Sequence, residues 1–239
     1  MKVVAVVQAR MGSTRLPNKV MKPIGNIPMI ELLLERLARA AQLDEIVVAT
    51  SVDPRNLPLA EYVRALGYRC VQGSEDDVLT RYLLAGEEST ADVIVRITGD
   101  CPLVDPALVD QAVSQFLTSD VDYLSNVKPA TFPDGLDIEV FRFSALLQAA
   151  QETDLAFDHE HVTPYLRESG RFTQVSIEHS DDLSGLRWTV DEPADFAVIE
   201  RVFAHFTPDK HFTWQQVLEL QRTQPQLFAD NHQLKRNEG

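Results

Sequence analysis

The sequence predicts an α/β fold, a parallel β-sheet with helices packed on both faces. Three observations predict it. Short β-branched apolar runs alternate with segments of helical period through roughly the first half of the chain, the pattern of right-handed βαβ units. The apolar runs are continuous, as strands buried on both faces require. No Gly/Pro/Ser-rich linker, internal repeat or low-complexity segment divides residues 1–239, so they read as a single domain.

The elements follow in order. KVVAVV at 2–7 is the first strand. Pro28 then opens a helix in PMIELLLERLARAAQ, where Ile30, Leu33, Leu34 and Leu37 share one face. EIVVAT at 45–50 is the second strand, and Pro54 precedes a helix that Gly67 ends as a C-terminal cap. YRCVQ is a short strand. GSEDDVLTRYLLAGEE starts a helix, with Ser74 and Asp77 in capping-box spacing. DVIVRITGD at 92–100 is a strand and DPALVDQAVSQFL a helix. The second half is less regular. GLDIEVFRF at 135–143, RFTQVSIE and LRWTVD at 186–191 read as strands; residues 144–169, EPADFAVIERVFAHF and residues 213–228 read as helices. Residues 125–185 look like an excursion from the main sheet, and 229–239 like a frayed tail.

Charge narrows the partners. The net charge is −14, yet residues 1–30 hold five of the 22 Lys and Arg and none of the 36 Asp and Glu. So acidic a surface repels nucleic acid and anionic membranes, whose binding needs neutralisation by cations. The loop after the first strand, with Arg10, Arg15, Lys19 and Lys22, suits a small anion instead, because local charge dominates inside a cleft. Cys70 and Cys101 make no disulfide framework and no zinc pattern. With no apolar run long enough to cross a bilayer, the chain is expected to be soluble and cytoplasmic.

In open α/β sheets, ligands bind beyond the carboxyl ends of strands. The first strand ends in Gln8-Ala9-Arg10. Gly12 and Ser13 let backbone N–H groups approach an anion, and the Arg and Lys heads can grip phosphate oxygens. The spacing is neither a Walker A loop nor a dinucleotide fingerprint. The fourth long strand ends in TGDCPLVDP, where Asp100 could ligate Mg²⁺. Asp105, just before Pro106, fits a helix cap, whereas Asp100 lies too far upstream. LRWTVDEP repeats the arrangement with Asp191, for which capping and metal ligation are both open. A cationic loop facing two strand-end acids is the apparatus of phosphoryl and nucleotidyl transfer. DHEH at 158–161 is not a zinc site, since His159 and His161 are two apart and do not share a helix face. Cys101 has no adjacent His to activate it.

Six ordered motifs between residue 2 and about 205, QARMGSTRLPNKV, GSEDDVLTRY, TGDCPLVD, FPDGLDIEVF, EHVTPYL and WTVDEPADF, together resemble the SpsF-like cytidylyltransferases, named for a spore coat polysaccharide biosynthesis protein. That group is similar to the CMP-KDO and CMP-sialic acid synthetases. The resemblance implies a three-layer, glycosyltransferase-A-like nucleotidyltransferase fold with a mixed, mainly parallel sheet of about seven strands. It implies that Gln8, Ala9, Arg10, Gly12, Ser13, Arg15 and Lys19 wrap a CTP, with Arg10, Arg15 and Lys19 at the phosphates. It implies Mg²⁺ on Asp100 and Asp191, and Gly73, Ser74, Asp77, Arg81 and Thr98 on the nucleotide. The FPDGLDIEVF and EHVTPY segments would face the acceptor sugar, with Asp134, Asp137, Glu139, Glu160 and His161 as candidates, and residues 125–185 would serve acceptor binding or a homodimer contact. Two departures stand out: Gln8 replaces the synthetases' usual Pro, and Asn18 replaces a Gly that often precedes the loop Lys, Asn being able to adopt a left-handed backbone.

The expected reaction is CMP transfer from CTP to a sugar or sugar acid, with release of pyrophosphate, for surface polysaccharide synthesis. Two other readings stand beside it. A nucleotide-sugar-dependent glycosyltransferase would share the fold, but no Asp-x-Asp lies at a strand end. A non-catalytic nucleotide-binding module would retain a full set of charged groups without use.

Overall fold

The computed structural model describes residues 1–236. Strand β1 (Val3–Gln8) leads to a short hairpin, β2 (Pro23–Ile24) and β3 (Ile27–Pro28). Then come α1 (Met29–Leu37), β4 (Glu45–Ser51), α2 (Leu57–Ala65), β5 (Arg69–Gly73), α3 (Val78–Ser89), β6 (Val93–Thr98) and α4 (Pro106–Thr118). The second half adds β7 (Tyr123–Ser125), β8 (Glu139–Arg142), α5 (Phe143–Glu152), α6 (Ala156–His161), α7 (Pro164–Glu168), β9 (Gln174–Ser176), α8 (Pro193–Phe206) and α9 (Trp214–Thr223). A 3-10 turn at Pro225–Asn231 follows.

Seven strands form one sheet in the order β5-β4-β1-β6-β8-β7-β9. Only β8 is antiparallel to its neighbours. The mixed, mainly parallel sheet flanked by helices is the one expected. Strand β1 shows why: Val3, Ala5 and Val7 enter the core formed with α1, α2, α4, α8 and α9, while Val4 and Val6 enter a second core under α3, α5 and α7. A run with no polar residue can satisfy only a strand covered on both sides. No helix among the described residues is long and apolar enough to cross a membrane.

Several elements differ from expectation. LRWTVD is extended but joins no strand of the sheet: Trp188 N–H donates to Asp134 O and Val190 N–H to Asp100 O, so its backbone is paired by two loops. Residues 144–169 form three helices. Thr153 bonds the Asp158 carboxylate at the first break, and Val162 at φ 71° interrupts the second. The expected strand at 135–143 is shorter, leaving residues 134–138 as a loop. The 125–185 region is no excursion, because β7, β8 and β9 complete the main sheet. Residues 229–236 are not frayed: Asn231 is buried, and Lys235 and Arg236 bond back to the body. Residues 237–239 of that expected tail lie outside the described residues.

Candidate active site

The loop after β1 is pinned at its root. Ala9 N–H donates to Ala49 O and Gly99 N–H to Gln8 O, joining the ends of β1, β4 and β6. A Cβ at Gly99 would stand 2.9 Å from Ala9 Cβ and 3.0 Å from Gln8 O, so this close approach needs glycine. Farther along, Met11 N–H donates to the buried Asn56 Oδ1 at 2.7 Å. Asn56 Nδ2 donates to Ser51 Oγ, Ser51 Oγ donates to Glu75, and the other Glu75 oxygen accepts from Arg10 Nη1 at 3.1 Å. Ser13 Oγ accepts from Leu16 N–H, and Gly12 is half-buried beside it. Asn18 takes the left-handed conformation expected of it, φ 59°. Lys22 turns aside, its ammonium 5.0 Å from the Phe196 ring centre.

Beyond these anchors Lys19 reaches the acids that follow β6 and precede α8. Its Nζ lies 2.8 Å from Asp191 Oδ1, 3.3 Å from Asp100 Oδ2 and 2.9 Å from Val190 O. Burial opposes the charge on Lys19, but the two carboxylates outweigh it and raise the pKa above the ordinary 10.5. Burial would likewise raise Asp100, and the Lys19 ammonium overcomes it, holding the carboxyl below the usual range. Arg15 reaches Glu192 at 3.2 Å and Asp191 at 3.8 Å. The capping alternatives separate here. Asp105 accepts from Ala107 N–H and Leu108 N–H and caps α4, whereas α8 is capped by Glu192. Asp191 is therefore not spent on its helix. Thr98 Oγ1 lies 3.2 Å from Cys101 Sγ, and burial beside Asp100 pushes that thiol well above its ordinary pKa. A thiolate nucleophile is disfavoured there.

Behind Asp191 stands Arg187, which the motifs did not single out. Its side chain is 5% exposed and pairs with Asp134, Asp191 and the fully buried Asp195. Lys19 thus pairs with Asp100 and Asp191, and Arg187 with Asp134, Asp191 and Asp195, so that Asp191 is shared between the two cations. The Asp100 and Asp191 oxygens already converge on one cation, the Lys19 ammonium, and are hard oxygen donors. The donor set fits Mg²⁺, which takes one or two carboxylates and fills its shell with water and phosphate. No cluster of three or more His, Cys, Asp or Glu suited to a metal occurs among the described residues.

On the α3 side, a Cβ at Gly73 would meet Arg81 Cγ at 2.7 Å. Arg81 is 3% exposed, and its Nε and Nη1 have no hydrogen-bond partner. Burial lowers its pKa. Ser74 Oγ accepts from Asp77 N–H, and Asp77 is the N-cap of α3, accepting from Thr80 N–H at 2.9 Å. His159 Nδ1 lies 3.0 Å from the same carboxylate, and this hydrogen bond raises the His159 pKa above 6.5.

The remaining candidates divide. Asp134 pairs with Arg187 and Asp137 with Arg236 from the C-terminal segment. Burial pushes Asp137 up to about 6 despite Arg236. Glu139 is buried among Arg96, Tyr123 and Arg167. Burial would raise its pKa, but the two guanidinium groups hold it below the ordinary value. Arg96 Nη2 continues the chain to Gln8 Oε1 at 3.2 Å. Glu160 and His161 are exposed on α6, with His161 against the exposed Phe157 ring at 4.4 Å. No hydrogen bond or ion pair among the described residues ties those two to Asp100 or Asp191. Sequence reasoning also missed Glu75, Asn56, Arg96 and Arg167. Glu75 alone stood inside a quoted motif next to named residues.

Comparison with known proteins now adds to this geometry. The family model described as "Cytidylyltransferase" matches residues 4–224. The spore coat polysaccharide biosynthesis protein SpsF of Bacillus subtilis is 31% identical over 211 residues, 84% of this chain and 86% of that protein. The solved cytidylyltransferase of Leptospira borgpetersenii serovar Hardjo-bovis superimposes with a TM-score of 0.91 at 32% identity, over 95% of this chain and 97% of that one. CMP:2-keto-3-deoxy-manno-octonic acid synthetase, solved in complex with CTP, gives a TM-score of 0.64 at 21% identity over 86% of this chain and 99% of that one. At that identity it speaks for the fold alone.

Proposed function

This chain belongs to the cytidylyltransferase family, and from that premise we propose that it transfers CMP from CTP to a hydroxyl of a sugar or sugar acid, with Mg²⁺ as its cofactor. The acceptor hydroxyl oxygen attacks the α-phosphorus, a new P–O bond forms, the bond to the β-phosphate breaks to release pyrophosphate, and the hydroxyl proton passes to water. The observation that carries the proposal is the meeting of Lys19, Asp100 and Asp191, drawn from three distant motifs, at one point of the cleft.

Arg10, Arg15 and Lys19 bind the triphosphate, and Lys19 moves from the carboxylates to the phosphates as the nucleotide enters. Gln8, Ala9, Gly12 and Ser13 line that loop, and its preorganised donors meet charge that grows on the leaving pyrophosphate. Asp100 and Asp191 would hold Mg²⁺, whose chemistry there is to neutralise the phosphates and align the α-phosphorus. Arg81, with its unpaired nitrogens, receives the base or ribose in the company of Gly73, Ser74, Asp77 and Thr98. Asp134 and Asp137 face the acceptor, with Glu139 held behind them by Arg96 and Arg167, and Glu160 and His161 at the rim. The product feeds a surface glycan, and the enzyme works in the cytoplasm as a homodimer.

A pyrophosphate-release assay over CTP, UTP, ATP and GTP, against a panel of sugars and sugar acids with and without Mg²⁺, tests this. Turnover with CTP that needs Mg²⁺ is expected. Folded protein that releases no pyrophosphate with any pair rejects it. Light scattering at the monomer mass rejects the dimer.

A further inference from the structure

Asp191 has two carboxylate oxygens with different surroundings. Oδ1 faces the cleft, 2.8 Å from Lys19 Nζ. Oδ2 faces inward, 3.3 Å from Arg187 Nη2. Arg187 is itself immobilised. Its Nε and Nη2 reach the two Asp195 oxygens at 2.9 and 3.0 Å, a two-point fork. Its Nη1 donates to Asp134 Oδ2 and to Lys235 O, both at 3.1 Å. Asp195 then fixes the backbone of the acid that Arg187 holds, accepting from Asp191 N–H at 3.0 Å and Glu192 N–H at 2.9 Å. Asn231 closes the network from the C-terminal segment, donating to Asp195 Oδ1 at 2.9 Å and to Arg187 O at 3.2 Å.

We propose that Arg187 is a positioning residue for Asp191: it clamps Oδ2 so that Oδ1 is presented, preset, to the cation that Asp100 and Asp191 share. The inference rests on the reading of those two acids as the metal pair. A residue that served only to fasten α8 would be satisfied by Asp195 and Lys235 O. The contact to Asp191 Oδ2 adds nothing to that fastening but removes the rotational freedom of the ligand. Partners of this kind, one step behind a metal ligand, typically cost 10- to 100-fold in metal affinity when changed. The C-terminal segment thereby becomes part of the site's frame, although the family match ends at residue 224.

The test uses the full chain and Mn²⁺ as a paramagnetic probe, titrated in the presence of CTP and followed by electron paramagnetic resonance. Arg187→Lys keeps the charge but loses the fork. Its Mn²⁺ dissociation constant is expected to rise about 10- to 100-fold, with CTP binding in EDTA unchanged and kcat falling more than KM for CTP rises. Asn231→Ala, which loosens the network from its far side, is expected to shift Mn²⁺ binding in the same direction by less. Wild-type Mn²⁺ affinity in folded Arg187→Lys overturns the proposal, and so does failure of both variants to fold, since Arg187 would then be purely structural. If wild-type protein binds neither CTP nor Mn²⁺, the proposed function fails instead.

Discussion

Replacing Lys19 with methionine takes away the cation that Asp100 and Asp191 share while leaving a side chain of similar length. Lys19 Nζ lies 3.3 and 2.8 Å from their nearest oxygens, so these are at most about 6 Å apart. Two unit charges at that distance repel by about 3 kcal/mol at an effective dielectric of about 20. The carboxylates are 25% and 23% exposed, and water and salt reduce the repulsion to about 1–2 kcal/mol. For a chain of this size that lowers Tm by about 2–8 °C. The metal response should move the other way. On the proposed reading, a divalent ion must compete with the Lys19 ammonium in the native protein and need not in Lys19→Met. Mg²⁺ is therefore expected to raise the Tm of Lys19→Met at lower concentration than it raises the wild type's. Pyrophosphate release should still fall about 10²- to 10³-fold, because the cation proposed to meet the phosphates is gone. Differential scanning fluorimetry over a Mg²⁺ series, with the release assay alongside, gives both readings. Lys19→Met melting no lower than wild type without metal, and gaining no more from Mg²⁺, would refute the idea that Lys19 stands where the metal binds.

Three further outcomes are expected. Gly73→Ala drives a Cβ into Arg81 Cγ at 2.7 Å, so CTP affinity measured by calorimetry should drop about tenfold, a loss near 1.4 kcal/mol; unchanged affinity would separate Arg81 from nucleotide binding. Asn56→Ala leaves Met11 N–H without its partner and should lower stability by about 1–3 kcal/mol in urea unfolding, with weaker CTP binding as the loop loosens; a loss below about 0.5 kcal/mol would mean that water replaces the amide. The Asp77 hydrogen bond raises the His159 pKa above 6.5, so the stability it contributes is complete below pH 6.5 and declines as pH rises through the folded value. Thermal melts from pH 5.5 to 8.5 should show that decline in wild type and lose it in His159→Gln.

The parallel half of the fold was legible because its strands carry their own signal. Val4 and Val6 need a core on one face, Val3, Ala5 and Val7 on the other, and no other element satisfies both. Asp100 and Asp191 were legible by their place after apolar runs, even though the run before Asp191 proved to be an extended segment paired with loops. An apolar sequence of that length records burial, not which backbone covers it. The network behind the site was harder. Arg187 and Asp195 each sit four residues from Asp191, Asp195 inside the quoted motif and Arg187 just before it, but their roles come from Asp134 and Asn231, far away in sequence. Arg96 lies mid-strand and looks like a solvent-facing residue until β8 brings Glu139 opposite it. The breaks between α5, α6 and α7 depend on the Thr153–Asp158 bond and on Val162, which no periodicity reveals.

The single reversed strand, β8, decides which segments of the chain meet beside the strand-end acids. Strands β1, β4 and β6 arrive at the cleft by their carboxyl ends, so the loops that follow them meet there. Because β8 runs the other way, it arrives by its amino end, with Glu139 opposite Arg96. The segment that precedes it, including Asp134 and Asp137, is thereby delivered to the same mouth from the far half of the chain. Arg187 fastens that segment to the strand-end acids, since it grips Asp134 with one nitrogen and Asp191 with another.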